Sequence, residues 1–234
     1  MMRQIVKAAC GLWLCLGAAA MAQAEDGVVV EFYTSQGCPS CPPADAYFAE
    51  LSQQPGVIAL ALHVDYWDYI GWEDTFGAAQ FTERQKNYAR AEGSTMIYTP
   101  QMIVGGALRV EGNKPEQVAA AVGAEVGIPH PVTLTVERQG DLLLIHAVTA
   151  EPLTDGATVQ VVRYLDKATV DIERGENAGQ SVAYHNIVTS WVKVADWAGK
   201  DKLQLETEAP GNEPVVVIVQ SADMGNILAA KRLK

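Results

Sequence analysis

Val28-Val29-Val30-Glu31-Phe32-Tyr33-Thr34 runs directly into Ser35-Gln36-Gly37-Cys38-Pro39-Ser40-Cys41, and the reading of the whole chain turns on this stretch. The apolar run over 27–34, with three valines in succession, has the pattern of a strand buried on both faces. Residues 43–53 carry Ala44, Tyr47, Phe48 and Leu51 at helical spacing. Residues 57–64, Val-Ile-Ala-Leu-Ala-Leu-His-Val, form a second apolar run. Strand, helix and strand in so few residues is a βαβ unit. It places Cys38 and Cys41 at the strand-to-helix turn, where reversible thiol–disulfide chemistry is commonly found.

Toward the N-terminus, Arg3 and Lys7 flank an uncharged apolar stretch, Ala8 to Met21, which ends at Ala22-Gln23-Ala24. This is the pattern of a cleaved export signal over 1–24, with the stretch short for a membrane span of roughly 20 residues. Cys15 follows Leu14, whereas a small residue normally precedes a lipidated cysteine. Cleavage discards Cys10 and Cys15, leaves Cys38 and Cys41 alone, and changes the net charge from −11 to −13 by removing Arg3 and Lys7. A periplasmic or secreted location follows, and disulfides persist there. A bridge between cysteines so close constrains the unfolded chain little, so redox chemistry is favoured over a structural bridge or a metal site. The acidic chain has no basic run to hold nucleic acid.

Toward the C-terminus, Asp65-Tyr-Trp-Asp-Tyr-Ile-Gly71 is an aromatic, acidic insert, and residues 78–93 and 114–126 read as helices. Two apolar runs around Gly105-Gly106 read as a hairpin. The first domain, 25–126, is therefore expected to be an α/β unit, β-α-β-α-β-β-α, with a mixed four-stranded sheet. Residues 127–131 read as a linker. From Val132 the period becomes two, and short strands at 157–165, 168–173, 181–188, 190–195, 202–206 and 214–221 suggest an all-β antiparallel sandwich over 132–234.

Thr99-Pro100 stands at the entrance to a strand. With the βαβ start and the late hairpin, it gives residues 27 to about 126 a resemblance to the thioredoxin superfamily. That resemblance implies a cis Pro100 facing the cysteine pair and a Thr99 whose backbone meets substrate. It also implies a proton-relay role for Glu31, which lies seven residues before Cys38 where thioredoxins carry their buried acid one residue closer. Cys38 is expected to attack and Cys41 to resolve, while Pro42-Pro43 delays the helix start and weakens its help to Cys38. His63, Asp65, Trp67 and Asp68 fall at the same sheet edge, with Trp67 a candidate substrate contact. Arg84 and Gln85 are expected to hold the insert in place.

The segments 32–45, 63–69, 81–85 and 98–102, with Arg174-Gly-Glu-Asn177 and Tyr184-His-Asn186, resemble more narrowly a secreted, thioredoxin-like bacterial family catalogued as a domain of unknown function. The reading is an exported thiol–disulfide oxidoreductase acting on protein thiols or disulfides with an unidentified redox partner. It calls for no cofactor, no metal, no nucleic acid and no stable membrane anchor. Two alternatives stay open. One is a Cu(I)-binding protein using both thiolates and His63. The other is a non-catalytic interaction protein that uses His185 and the polar loop 175–180.

Overall fold

The computed structural model describes residues 24–234, so the export signal expected over 1–24 falls, save Ala24, outside the described residues. The elements are β1 (Glu25–Asp26), β2 (Val28–Thr34), α1 (Pro42–Leu51), β3 (Val57–His63), α2 (Ala79–Ala91), β4 (Gln101–Val104), β5 (Leu108–Glu111), α3 (Pro115–Glu125), β6 (Val132–Gln139), β7 (Leu142–Thr149), β8 (Ala157–Asp171), β9 (Ser181–Trp197), β10 (Leu203–Glu208), β11 (Val215–Ser221) and β12 (Ile227–Leu233). A 3₁₀ turn, Asp68–Ile70, lies within the insert.

These strands do not form a four-stranded α/β domain followed by a separate sandwich, and that expectation is corrected. One nine-stranded sheet, in the order β1-β12-β11-β8-β9-β3-β2-β4-β5, runs through both halves of the chain. The described residues are mostly β, with three α-helices. The local pieces were legible: β2 pairs in parallel with β3 and antiparallel with β4, and β4 with β5 makes the hairpin around Gly105-Gly106. The free edge of β3 is where the reading fails. Unpaired N–H and C=O groups along an edge accept any strand of matching register. β9 takes that edge, with Ile187 opposite Ala61, and the Asn186 amide donates to the Ala59 carbonyl at 2.8 Å.

The continuity depends on length. Candidates 157–165 and 168–173 are one strand of 15 residues, and 181–188 and 190–195 belong to one strand of 17. Bulges between Val159 and Gln160 and between Arg163 and Tyr164 bend this ribbon, as an extra unpaired residue does. β1 and β12, absent from the expected strands, pair with each other at the far edge.

Three apolar clusters hold the molecule. α1 and α3 cover one face of β2 and β3 through Phe32, Phe48, Leu51 and Val118. On the opposite face Tyr33, Leu60, Phe81 and Tyr88 pack with Tyr164, Val188, Ile218 and Ile227, so this core is built from both halves. The third cluster lies between the small sheet β10-β7-β6 and the β8, β11 and β12 strands, around Leu143, Ile145, Val159 and Val217. No helix among the described residues is long and apolar enough to cross a membrane.

Candidate functional site

Strand β2 is buried along its whole length, and its period of two sends successive side chains to opposite faces. Thr34 points to the α1 face, Glu31 and Tyr33 to the other. Beyond Thr34 the chain turns through Gly37 and delivers Cys38 and Cys41, which form a disulfide with a Cα separation of 5.4 Å. Both cysteines are 0% exposed, whereas the two residues between them, Pro39 and Ser40, are exposed.

The helix begins at Pro42, with Cys41 as its N-cap and prolines in the first two positions. Prolines carry no N–H, and the Ala44 and Asp45 N–H groups both bond the Cys41 carbonyl at 2.8 and 2.9 Å. The first turn therefore has no free donor aimed at Cys38, as expected from Pro42-Pro43. The Ser40 hydroxyl, 3.6 Å from Cys38 Sγ, is the polar group recorded beside it.

One turn inward from Cys41, on the same face, sits Asp45. Its Oδ1 accepts from the Thr34 hydroxyl at 2.9 Å, while its Oδ2 is buried without a partner. Burial pushes its carboxyl up to about 7. Nearby His63 and the Thr34 hydroxyl act to lower it, and Asp74 to raise it. His63 ends β3, and its Nδ1 lies 2.8 Å from Asp74 Oδ2. An acid that also accepts the Gln36 N–H and the Phe76 N–H is an acceptor here, so the His63 Nδ1–H donates to it, while Nε2 is buried and unpartnered. Burial acts to raise the Asp74 carboxyl, but the charge and hydrogen bond of His63 and these two N–H groups together hold it below its usual range. Tyr184 of β9 stacks edge-on to His63 with ring centroids 4.8 Å apart.

Glu31 is elsewhere. It is fully buried on the face opposite α1, where Arg84 grips it through Nε and Nη2, each at 2.7 Å. The Tyr88 and Tyr33 hydroxyls add donors at 2.6 and 2.9 Å. Burial disfavours the Arg84 charge, but Glu31 together with Tyr88 and Tyr33 outweighs this and raises its pKa. Arg84 does not hold the insert, as its place in the sequence suggested. It bonds Gln160 and Gln220 at 3.1 and 3.0 Å and lies 3.8 Å from the Trp191 ring, tying β8, β9 and β11 to the first half. Gln85 does brace the neighbourhood of Pro100, donating to the Tyr98 carbonyl and to Gln101, each at 2.8 Å.

The Thr99–Pro100 bond is cis, and Pro100 is buried. Trp67 connects this turn to the cysteine loop. Its indole N–H donates to Thr99 Oγ1 at 2.7 Å, and a Cβ placed on Gly37 would lie 3.1 Å from Trp67 Cβ. Such close approach explains glycine immediately before Cys38. The other side of the loop is closed by Asn177, from the β8–β9 connection, whose amide donates to the Gln36 and Cys38 carbonyls at 2.9 Å each. The polar loop 175–180 is thus partly a wall of this site.

Sequence reading missed Asp45, Asp74 and Asn177. Asp45 carried a signal, since it shares with Cys41, Ala44 and Phe48 a buried row at helical spacing. Asn177 lay in the Arg174–Asn177 segment of the family resemblance and in the polar loop 175–180, but nothing local placed it beside the cysteines, and Asp74 carried no signal, because only the tertiary fold brings it there.

A family model described as "Protein of unknown function (DUF1223)" matches residues 29–220. The chain belongs to this family. Membership brings no activity with it. An X-ray crystal structure of a protein from Agrobacterium tumefaciens is 31% identical, covers 91% of this chain and 96% of that chain, and superposes with a TM-score of 0.75. HBP35 of Porphyromonas gingivalis has a similar fold at a TM-score of 0.59 and 13% identity, over 89% of this chain and 74% of its own. No curated protein matches. For this DUF1223 member, a surface cavity of about 420 Å³ lined by Gly127, Ile128, His130 and Lys231 includes none of Cys38, Cys41, Thr99 or Pro100. Nor does any group of three His, Cys, Asp or Glu side chains converge as a metal set among the described residues.

Proposed function

We propose that this protein is an exported thiol–disulfide oxidoreductase in which Cys38 exchanges with client sulfur and Cys41 resolves. The observation that carries this reading is the Cys38–Cys41 disulfide with a buried, half-satisfied carboxyl, Asp45, one helical turn inward. In the reductive direction the Cys38 thiolate attacks a client disulfide. A mixed disulfide forms and one client sulfur leaves as a thiolate. Asp45 then takes the Cys41 proton, the Cys41 thiolate attacks Cys38 Sγ, and the second client sulfur departs. The bridge closes as two electrons pass to the client. Run backward, the same steps oxidise a client dithiol, with Asp45 returning the proton. A buried carboxyl that titrates near neutrality suits both duties.

In this reading Thr99 and Pro100 border the client chain, and Trp67, which touches both Thr99 and the Gly37 turn, is the residue a client must move. Glu31, with its oxygens occupied by Arg84, Tyr33 and Tyr88, serves the core rather than proton transfer. The clients are protein thiols or disulfides, and a second redox protein restores the pair. The export pattern at the N-terminus supports a site of action where disulfides persist. The deciding experiment is a titration of the bridge in glutathione or dithiothreitol buffers, read by mass-tagging of thiols. Reversible conversion of one disulfide to two thiols is expected, and a bridge that does not cycle sinks the reading.

Asp45 gives a pH test. Its folded value, about 7, lies above its ordinary 3.8. A carboxyl raised by folding favours the native state fully below the ordinary value, and that contribution is lost as pH rises through about 7. The stability of the wild-type protein should therefore decline over this window, and Asp45→Asn should remove the decline, as measured by denaturant unfolding at several pH values. Resolution of the mixed disulfide by Cys41 should slow about 10²-fold in Asp45→Asn and lose its inflection near neutrality. An unchanged pH–rate profile would place the proton elsewhere.

A further inference from the structure

Asn177 lies 139 residues from Cys38 in sequence, yet it is buried against the turn that carries it. Its Nδ2 reaches two carbonyls on either side of Gly37, those of Gln36 and Cys38. The Cys38 carbonyl is also the acceptor for the Cys41 N–H at 3.3 Å, the contact that closes the short loop around the bridge. Gln180 Nε2 donates to Asn177 Oδ1 at 3.3 Å and orients its amide. The loop carrying Asn177 is itself seated on the insert: a Cβ on Gly175 would lie 3.2 Å from Trp72 Cβ, and the Trp72 indole donates to Gln36 Oε1 at 2.8 Å.

We infer that Asn177 is a positioning residue that holds the Gln36–Cys38 backbone in the geometry of the closed bridge and so favours the oxidised form. The inference rests on the redox reading above. Reduction by a dithiol breaks the S–S bond, moves two electrons and two protons onto Cys38 and Cys41, and leaves the reductant as a disulfide. The sulfurs must then part from bonding to van der Waals distance. Cys41 is anchored as the helix N-cap, with its carbonyl bonded to two helical N–H groups, so the displacement falls on Cys38. That movement carries the Cys38 carbonyl out of the Asn177 fork. A buried amide released from one of its acceptors is poorly satisfied, so the bonds act against reduction.

The test equilibrates the wild-type protein, Asn177→Ala and Gln180→Ala with mixtures of oxidised and reduced dithiothreitol, and counts free thiols by mass-tagging. In Asn177→Ala the equilibrium should shift toward the dithiol about tenfold, which is about 30 mV for a two-electron couple. In Gln180→Ala, at an exposed position, the shift should be smaller and in the same direction. A merely structural role would lower the melting temperature of both redox forms equally and leave the equilibrium constant unmoved, and that result overturns the inference. If Asn177→Ala fails to fold, an unmoved constant in Gln180→Ala overturns it instead. A wild-type bridge that cycles while neither variant shifts defeats this inference alone. A wild-type bridge that never cycles defeats the proposed function and this inference together.

Discussion

Cys38→Ser is expected to abolish exchange with client disulfides, leaving only the rate of the uncatalysed reaction, whereas Cys41→Ser should keep the first half of the reaction and stall. The difference follows from the roles: without Cys38 no mixed disulfide forms, and without Cys41 none is resolved. The Cys41→Ser protein expressed with its export signal should therefore accumulate covalent adducts. These should appear as reducible high-mass bands and yield the client on mass spectrometry. Loss of the bridge does not explain such a defect through unfolding. A loop closed over a sequence separation of 3 contributes only about 2 kcal/mol on the loop-entropy relation, so both variants should stay folded, as thermal unfolding would verify. Adducts that form on Cys38→Ser and not on Cys41→Ser would reverse the assignment of the two sulfurs. With both sulfurs buried, exchange in the proposed mechanism begins with movement of the surrounding loop rather than with direct collision.

Arg84→Met should produce the largest loss of stability in the described chain. It leaves Glu31 0% exposed with no cation, and removing one partner of a buried ion pair typically costs about 3–5 kcal/mol. Domains have only about 5–15 kcal/mol in total. The same substitution strips a donor from Gln160 and Gln220 and the guanidinium from the Trp191 face, so the second half also loses its tie to the first. Denaturant unfolding should show the drop near neutral pH. Adding Glu31→Gln should recover part of it by removing the unpaired charge. Exchange chemistry in Arg84→Met, measured where the protein is still folded, should stay near wild type, because Glu31 lies on the face opposite the cysteines. Selective loss of exchange with stability intact would instead return Glu31 to the proton path.

Legibility depended on the range over which each signal acts. The β2 run, the α1 row and the β3 run are local patterns that each formed within two residues of its expected bounds, and the hairpin formed around Gly105-Gly106. The four separate strand candidates between 157 and 195 became two long strands because each was ended at a polar or charged residue, such as Asp166-Lys167, that faces solvent without breaking the ladder. Ile227–Leu233 was overlooked because Lys231 and Arg232 interrupt it. Both are accommodated at the far edge by acids of β1, Lys231 by Asp26 at 2.7 Å and Arg232 by Glu25.

The sequence by itself determined that Cys38 and Cys41 meet at a strand-to-helix turn, that the helix starts late at Pro42, and that Thr99-Pro100 enters a strand. These are statements about neighbouring residues, where period and backbone preference act directly. Only the tertiary structure decided where Glu31 goes. Alternation along β2 puts Glu31 and Thr34 on opposite faces, but it does not say which face α1 covers, and that choice left Glu31 to Arg84 and gave Thr34 to Asp45. It also decided that the two halves share one sheet and that Asn177 closes the cysteine loop. Those contacts join residues more than a hundred positions apart, and the pattern of a strand records how much of it is buried, not what buries it.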